Sequence, residues 1–426
     1  MSTAPPSPDP TTAPTAPTAP TAPTVTLADV EAADRLIDGV VRRTLMEHQR
    51  ALSERVGGPV YLKCENLQRA GSFKIRGAYT RMSRLSQEER ARGVVAASAG
   101  NHAQGVALAA RLLGLHAKVY MPIGAALPKL EATRGYGADV EQAGHSVDDA
   151  LVHARRYADE TGAALIHPFD HPDIVAGQGS VGLEILQQVP DVQTVLVCTG
   201  GGGLLAGIAT AVKNKRPGVR VIGVQAAQAA AWPASLAAHH PVPLTQMSTM
   251  ADGIAVGCPG DVPFALVKKY VDDILTVSED AIARALLFLL ERAKLVVEPA
   301  GAVGVAALLD DDVLGAADLR APVVAVLSGG NVDPLLLMRV IRFGMSAAGR
   351  YLQFHLRVKD RPGSLAKLLA VLAETGANVL EVEHVRTGPR LRVDEVEIGL
   401  RLEMQGAAHC RDVLARLRAE GYPLTV

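Results

Sequence analysis

One lysine stands in an unusual setting. The stretch Ala70-Gly71-Ser72-Phe73-Lys74-Ile75-Arg76-Gly77 surrounds Lys74 with small and apolar residues, with a glycine three positions before it and another three after it. A surface lysine has no use for such neighbours. A lysine that condenses with a carbonyl does, because it reacts as the neutral amine and a dry pocket disfavours the ammonium. Taken alone, Ser-Phe-Lys reads better as a solvated lysine at a helix start. Three further segments change that balance.

Thr199-Gly200-Gly201-Gly202-Gly203-Leu204 follows an apolar run and opens a helical one. Each glycine costs regular structure roughly 0.5–1 kcal/mol relative to alanine, so four in a row need a reason. Without side chains, successive amides can converge on an anion at a helix N-terminus, and a phosphate is the natural guest. No Gly-Lys-Ser/Thr follows, so a nucleoside triphosphate loop is excluded. A dinucleotide fingerprint is matched only loosely by Gly201, Gly203 and Ala206, and the next strand ends at Gln225 instead of an acid. A small cofactor with one phosphate fits better, and Lys74 is read as the Schiff-base lysine of pyridoxal phosphate (PLP). Ser98-Ala99-Gly100-Asn101-His102 is a second strand-to-helix turn. Its backbone could bind a carboxylate, and Asn101 could bond a phenolic oxygen. Ser328-Gly329-Gly330-Asn331 is a third, with a serine hydroxyl able to meet a ring nitrogen. Ligands of α/β sheets collect at strand carboxyl ends, so three such turns and one lysine point to one site.

The elements that must carry these turns alternate. Pro59–Lys63, Val94–Ala97, Ala117–Met121, Asp139–Glu141, Ala164–Ile166, Thr194–Cys198, Arg220–Val224 and Val323–Leu327 read as strands. Between most of them lie helical stretches, among them Ser72–Leu85, Leu127–Tyr136, Val147–Thr161, Ile174–Gln188 and Leu204–Asn214. Near-continuous Val/Ile/Leu strands alternating with helices predict a doubly wound α/β fold. Order is expected to begin near Thr26, where Thr26 and Asp29 form a capping box. Residues 1–24, almost all Pro, Thr, Ala and Ser, are expected to be disordered. After residue 350 the pattern changes. Leu352, Phe354, Leu356 and Val358 alternate with polar residues, and Ser364 is expected to cap the helix that Gly376 stops. Strands follow at Asn378–Arg386 and around Val396–Leu402, then a helix at Ala407–Glu420 and an edge strand at Leu424–Val426. That βαββαβ order is an α+β ferredoxin-like unit. The expected domains are therefore a catalytic unit over 25–346, with a small subdomain of about 60–160 inserted in it, and a second domain over 350–426.

Composition narrows the class. The chain has 426 residues, 48% of them hydrophobic but only 4% aromatic, which suits Ala/Val/Leu/Ile cores of helices on parallel sheets. A formal net charge of -1 offers nothing to nucleic acid or an anionic membrane. Four scattered cysteines, Cys64, Cys198, Cys258 and Cys410, form no CxxC pair, which argues for a reducing compartment. No uncharged apolar run reaches the roughly 20 residues of a membrane span, and no signal peptide is evident, so a cytoplasmic location is expected.

The quoted motifs, together with Ala251-Asp252-Gly253-Ile254-Ala255-Val256 and Glu298-Pro299-Ala300-Gly301, resemble the threonine dehydratases of the tryptophan-synthase-β-like PLP enzymes, fold type II, over about residues 26–345. The tail, through Asp360-Arg361-Pro362-Gly363-Ser364-Leu365, resembles an ACT regulatory domain. The resemblance implies Lys74 as catalytic Schiff-base lysine, Gly200, Gly201, Gly202, Gly203 and Leu204 around the phosphate, Asn101 at the ring hydroxyl and Ser328 at the pyridine nitrogen. Ser98, Ala99, Gly100, Asn101 and His102 would grip the substrate carboxylate. It further implies α,β-elimination. Lys74, displaced by the substrate amine, removes the Cα proton, and the β-hydroxyl leaves with a proton from the cofactor phosphate. L-Threonine would give 2-oxobutanoate and ammonia, and L-serine pyruvate. A neutral hydroxyl at the ring nitrogen favours this elimination over wider carbanion chemistry. Two departures stand out. Relatives that racemise serine carry a serine base where Ala99 lies, so racemisation should be poor. Relatives that bind a divalent metal carry acids where Gln225 and Ala231 stand, so no metal is expected there.

Other readings stay open at this level: a hydroxyaspartate or serine dehydratase of the same fold, or an amino-acid sensor that has lost activity. The single ACT-like tail suggests an effector such as isoleucine or valine bound between two copies in a homodimer or homotetramer, in isoleucine biosynthesis or threonine catabolism.

Overall fold

The structure, a computed structural model, describes residues 24–388 and 391–425, so the tail expected to be disordered lies, Thr24 apart, outside the described residues. The strands are β1 Met46–His48, β2 Val60–Lys63, β3 Val94–Ala97, β4 Ala117–Met121, β5 Asp139–Gln142, β6 Ala164–Leu165, β7 Thr194–Cys198, β8 Arg220–Ala226, β9 Asp273–Val277, β10 Val323–Val326, β11 Tyr351–Lys359, β12 Asn378–Val385, β13 Glu395–Glu403 and β14 Leu424–Thr425. They form three sheets. The largest runs β1-β2-β10-β7-β8-β9. It is parallel except for β1, which pairs antiparallel at one edge. A smaller sheet, β5-β4-β3-β6, is wholly parallel. Every residue of β3, β7 and β10 is buried, which is why these strands read as unbroken apolar runs.

The expected start of the small subdomain near residue 60 is too early. β2 pairs with β10 in the large sheet, and the small sheet begins at β3. The chain crosses between the two through the helix Lys74–Ser83, which packs on the helices Asn101–Leu113 and Pro172–Gln188. The capping box at Thr26 is present, with Asp29 and Thr26 each bonding the other's backbone amide.

The third sheet, β12-β13-β11-β14, is antiparallel and carries the helices Ser364–Glu374 and Ala407–Ala419 over its own core. Here one detail differs from expectation. Ser364 is the first helical residue, and Gly363 is the cap, because the turn needs φ 88° there. The helix Pro334–Ala347 joins this unit to the rest. It packs on the helix Glu279–Phe288, and just beyond it Arg350 pairs with Glu291. Among the described residues no helix is long and apolar enough to cross a membrane.

Candidate active site

The turns after β3, β7 and β10 converge on a cavity of about 550 Å³ between the two parallel sheets. Lys74 enters it as the first residue of its helix. Two successive left-handed residues, Ala70 at φ 58° and Gly71 at φ 69°, turn the chain toward the cavity. A Cβ at Gly71 would sit 2.2 Å from Asn331 Oδ1, so only glycine fits. The Phe73 amide then donates to Ser328 O at 3.1 Å, and the Gly330 amide to Gly71 O at 2.9 Å. The lysine segment is thereby laced to the turn after β10. Lys74 Nζ donates to Pro168 O at 2.9 Å. Burial pushes its pKa down to about 8, against the opposing pull of Cys198 and Glu298.

Below the lysine, the same helix is anchored by charge. Arg76 is fully buried and meets Glu65 through two bonds of 2.8 Å, while its third nitrogen reaches Glu184 at 2.7 Å and Ser180 at 3.0 Å. Lys63 completes the cluster with 2.5 Å to Glu184. Burial alone would raise the Glu65 carboxyl, but the Arg76 guanidinium holds it below the usual carboxylate range.

Gly200 to Leu204 line the opposite wall. Among the described residues, none accepts a hydrogen bond from the five amides of this loop. The carbonyl side is occupied instead: Trp232 Nε1 donates to Gly200 O at 2.7 Å. A Cβ at Gly201 would lie 2.4 Å from the Phe169 ring, and one at Gly202, where φ is 97°, would lie 2.3 Å from Trp232. Bare amides facing the cavity beside a helix N-terminus form an anion cradle. Gln225 supports it from beneath. Its amide bonds Thr199 O and Ala229 O, each at 3.2 Å, and accepts from the Trp232 amide at 3.1 Å.

The remaining expected residues are brought to the same cavity. Asn101 Nδ2 donates to Glu298 Oε1 at 2.6 Å, and Asn101 Oδ1 accepts from Asn331 Nδ2 at 2.8 Å. Ser328 is buried at the end of β10, beside Cys198. Burial pushes the Cys198 thiol up to about 11, opposed by its hydrogen bond with Ser328. The Gly100 amide donates to Ser98 Oγ at 3.1 Å, shaping the turn in which Ala99 presents only a methyl group. His102 lines the cavity, but its Nε2 bonds Ile166 O at 2.8 Å, and burial pushes its pKa down to about 3, so the ring is neutral. His167 is likewise neutral, pushed to about 4 by burial, its Nδ1 accepting from the Asp170 amide at 2.8 Å.

Sequence reasoning assigned no role to Glu298, Asp252, Lys129, Trp232 or Phe169, all of which shape this site. Glu298 and Asp252 stood inside quoted motifs, whereas Lys129 carried no local signal. Glu298 is buried, and that burial, with the Asp252 charge nearby, pushes its pKa up to about 7.

A doubly wound α/β frame in which a primary amine and a row of bare amides face one cavity is built to hold a phosphorylated carbonyl compound. Residues 37–329 match the family described as pyridoxal-phosphate dependent enzyme, and residues 355–404 match the ACT domain. An L-threonine ammonia-lyase of Thermotoga maritima is 48% identical over 403 residues, covering 94% of this chain and 99% of that protein. Among solved structures, the processed form of threonine deaminase isoform 2 from Solanum lycopersicum superposes with a TM-score of 0.71 at 38% identity, over 74% of this chain and 86% of that one. Maize serine racemase gives a TM-score of 0.72 at 35% identity, over 76% and 99%. The chain belongs to the pyridoxal-phosphate dependent enzymes and carries a C-terminal ACT domain. Its cofactor is pyridoxal phosphate, and the residues present fit that group: an amine of lowered pKa on one wall and, on the other, a row of amides with no acceptor among the described residues.

Proposed function

We propose that the protein deaminates L-threonine to 2-oxobutanoate and ammonia, with L-serine to pyruvate as a secondary activity. The observation that carries this reading is the pairing, in one cavity, of the Lys74 amine with the bare amides of Gly200 to Leu204, in a chain similar over most of its length to an L-threonine ammonia-lyase. Lys74 Nζ would hold the cofactor, the amides of Gly200 to Leu204 its phosphate, Asn101 its ring hydroxyl and Ser328 its ring nitrogen. When bound, the cofactor supplies an electron sink for the pair left at Cα.

The chain's own residues supply the rest. Lys74 Nζ, whose burial lowers its pKa to about 8 in the cofactor-free protein, is the group that would take the Cα proton. Pro168 O fixes where that nitrogen sits. The Ala99 amide and the Ser98 hydroxyl would orient the substrate carboxylate, and neutral His102 ties the start of the next helix to Ile166 O. Ala99 offers no second base on the other face, which favours elimination over racemisation.

The ACT domain is proposed to bind an amino acid such as isoleucine or valine between two copies of the chain, in a homodimer or homotetramer, and so to tune the rate. Isoleucine biosynthesis and threonine catabolism both fit that control. The test is steady-state turnover of threonine, serine and hydroxyaspartate with and without isoleucine, by the parent and by the Lys74→Ala variant. Threonine is expected to have the highest kcat/KM, and the variant to lose turnover. A Lys74→Ala protein as active as the parent would sink the mechanism. Unchanged effector response after deleting residues 350–426 would sink the regulation.

A further inference from the structure

Lys129 and Asp252 form an ion pair of 2.5 Å across the mouth of the cavity. The two residues come from different halves of the molecule. Lys129 lies on the helix Leu127–Gly135, between β4 and β5 of the small sheet, and Asp252 on a short turn packed against the helix Pro299–Leu309, which lies on the large one. The lysine stem runs beside Gly100, where an added Cβ would meet Lys129 Nζ at 3.4 Å.

The charges around the cavity make this lysine distinctive. Among the described lining residues, Lys74 and Lys129 are the only lysines, and no arginine is present. His102 and His167 are both neutral and committed to backbone partners. With Lys74 engaged by the cofactor, Lys129 is the remaining cation that a carboxylate entering at the Ser98–Gly100 turn can meet. The exposures of the pair are unequal: the Lys129 side chain is 11% exposed and that of Asp252 49%. The acid can therefore turn to water while the ammonium stays inside, because desolvating a lysine without an anion is costly and an arriving carboxylate removes that cost.

We infer that Lys129 is a substrate-binding residue that exchanges Asp252 for the carboxylate of the incoming amino acid. The pair with Asp252 would be its resting state and would keep the two halves of the site in register. This inference rests on the amino-acid-deaminating function proposed above.

The test uses holoenzyme and two probes, L-threonine and 1-amino-2-propanol, which lacks the carboxylate. Binding is read from the change in cofactor absorbance and turnover from 2-oxo acid formation. For Lys129→Met, Kd for threonine is expected to rise about 10- to 100-fold, the usual weight of a hydrogen bond to a charged group. Kd for the amino alcohol should change less than about threefold, and Lys129→Arg should recover most of the threonine affinity. In Asp252→Asn, which leaves the ammonium in place, threonine should bind within about tenfold of the parent. An equal loss for both probes in Lys129→Met, or no loss for either, would overturn the inference. If that variant does not fold, Lys129→Gln measured with the same two probes decides it by the same criterion. A parent enzyme that binds threonine without turning it over would sink the proposed function while the binding comparison still judged Lys129.

Discussion

Asn331 Nδ2 lies 2.8 Å from Asn101 Oδ1 and 2.7 Å from Ala70 O, so one side-chain amide joins the turn after β10, the turn after β3 and the segment that delivers Lys74. Those three segments come from both parallel sheets, and their shared bond is what holds the lysine wall of the cavity at a fixed distance from the carboxylate turn. Replacing Asn331 with aspartate turns the donor into an acceptor facing two oxygens. Stability should fall by about 1–3 kcal/mol from part-buried acceptors left without a donor, and PLP should bind more weakly. Urea denaturation and a cofactor titration read the two effects separately.

Arg76 should matter without touching any ligand. Arg76→Met leaves Glu65 buried without its partner, which is expected to cost about 3–5 kcal/mol. Arg76→Lys keeps the charge but loses the two-point fork to Glu65, so its cost should be smaller but clear. Thermal unfolding of the apo and holo forms checks both, and a Met variant as stable as the parent would show that the cluster contributes little.

Gly202→Ala tests the cradle. The new methyl would need φ 97° and would press on Trp232 at 2.3 Å. Overpacking of this kind is expected to cost about 1–3 kcal/mol, and here it should appear as weaker PLP binding more than as global instability. Equilibrium dialysis of the cofactor against parent and variant measures it.

Two titrations carry opposite signs. Lys74 in the apoprotein has a pKa lowered to about 8, so the rate of PLP capture should climb with pH up to about 8 and then level off, where an exposed lysine would keep climbing toward its ordinary value. Stopped-flow absorbance at several pH values reads this directly. Glu298 is raised from 4.5 to about 7, so its folded form binds the proton more tightly than the unfolded chain. Its contribution to stability is complete below about pH 4.5 and is lost as pH rises through about 7, an effect on the order of 3 kcal/mol. Glu298→Gln, which stays neutral, should therefore gain on the parent as pH rises across that window in urea melts.

The doubly wound frame was legible because burial on both faces forces strands such as Thr194–Cys198 and Val323–Val326 to be apolar almost throughout. The glycine loop and Lys74 were legible because their residue types are wasteful anywhere else. Other elements were not. The helix Pro299–Leu309 is almost wholly buried and therefore has no polar face to show a period. The strand Asp273–Val277 sits at a sheet edge, half exposed, with only five residues of pattern. β2 was placed correctly along the chain but given to the wrong half, because a four-residue strand carries no mark of which sheet it will join.

By itself, the chain of residue types determined the kind of chemistry, since an amine in a dry setting and a run of bare amides are local features that need few neighbours to be recognised. Which distant groups meet that chemistry was decided by the tertiary structure alone. Asn331 reaches Asn101, Lys129 reaches Asp252, and Arg76 reaches Glu184, each across more than a hundred positions. The reason is physical: a side chain's charge state and partners depend on what surrounds it in space, and packing two sheets face to cavity brings together residues whose sequence neighbours say nothing of one another.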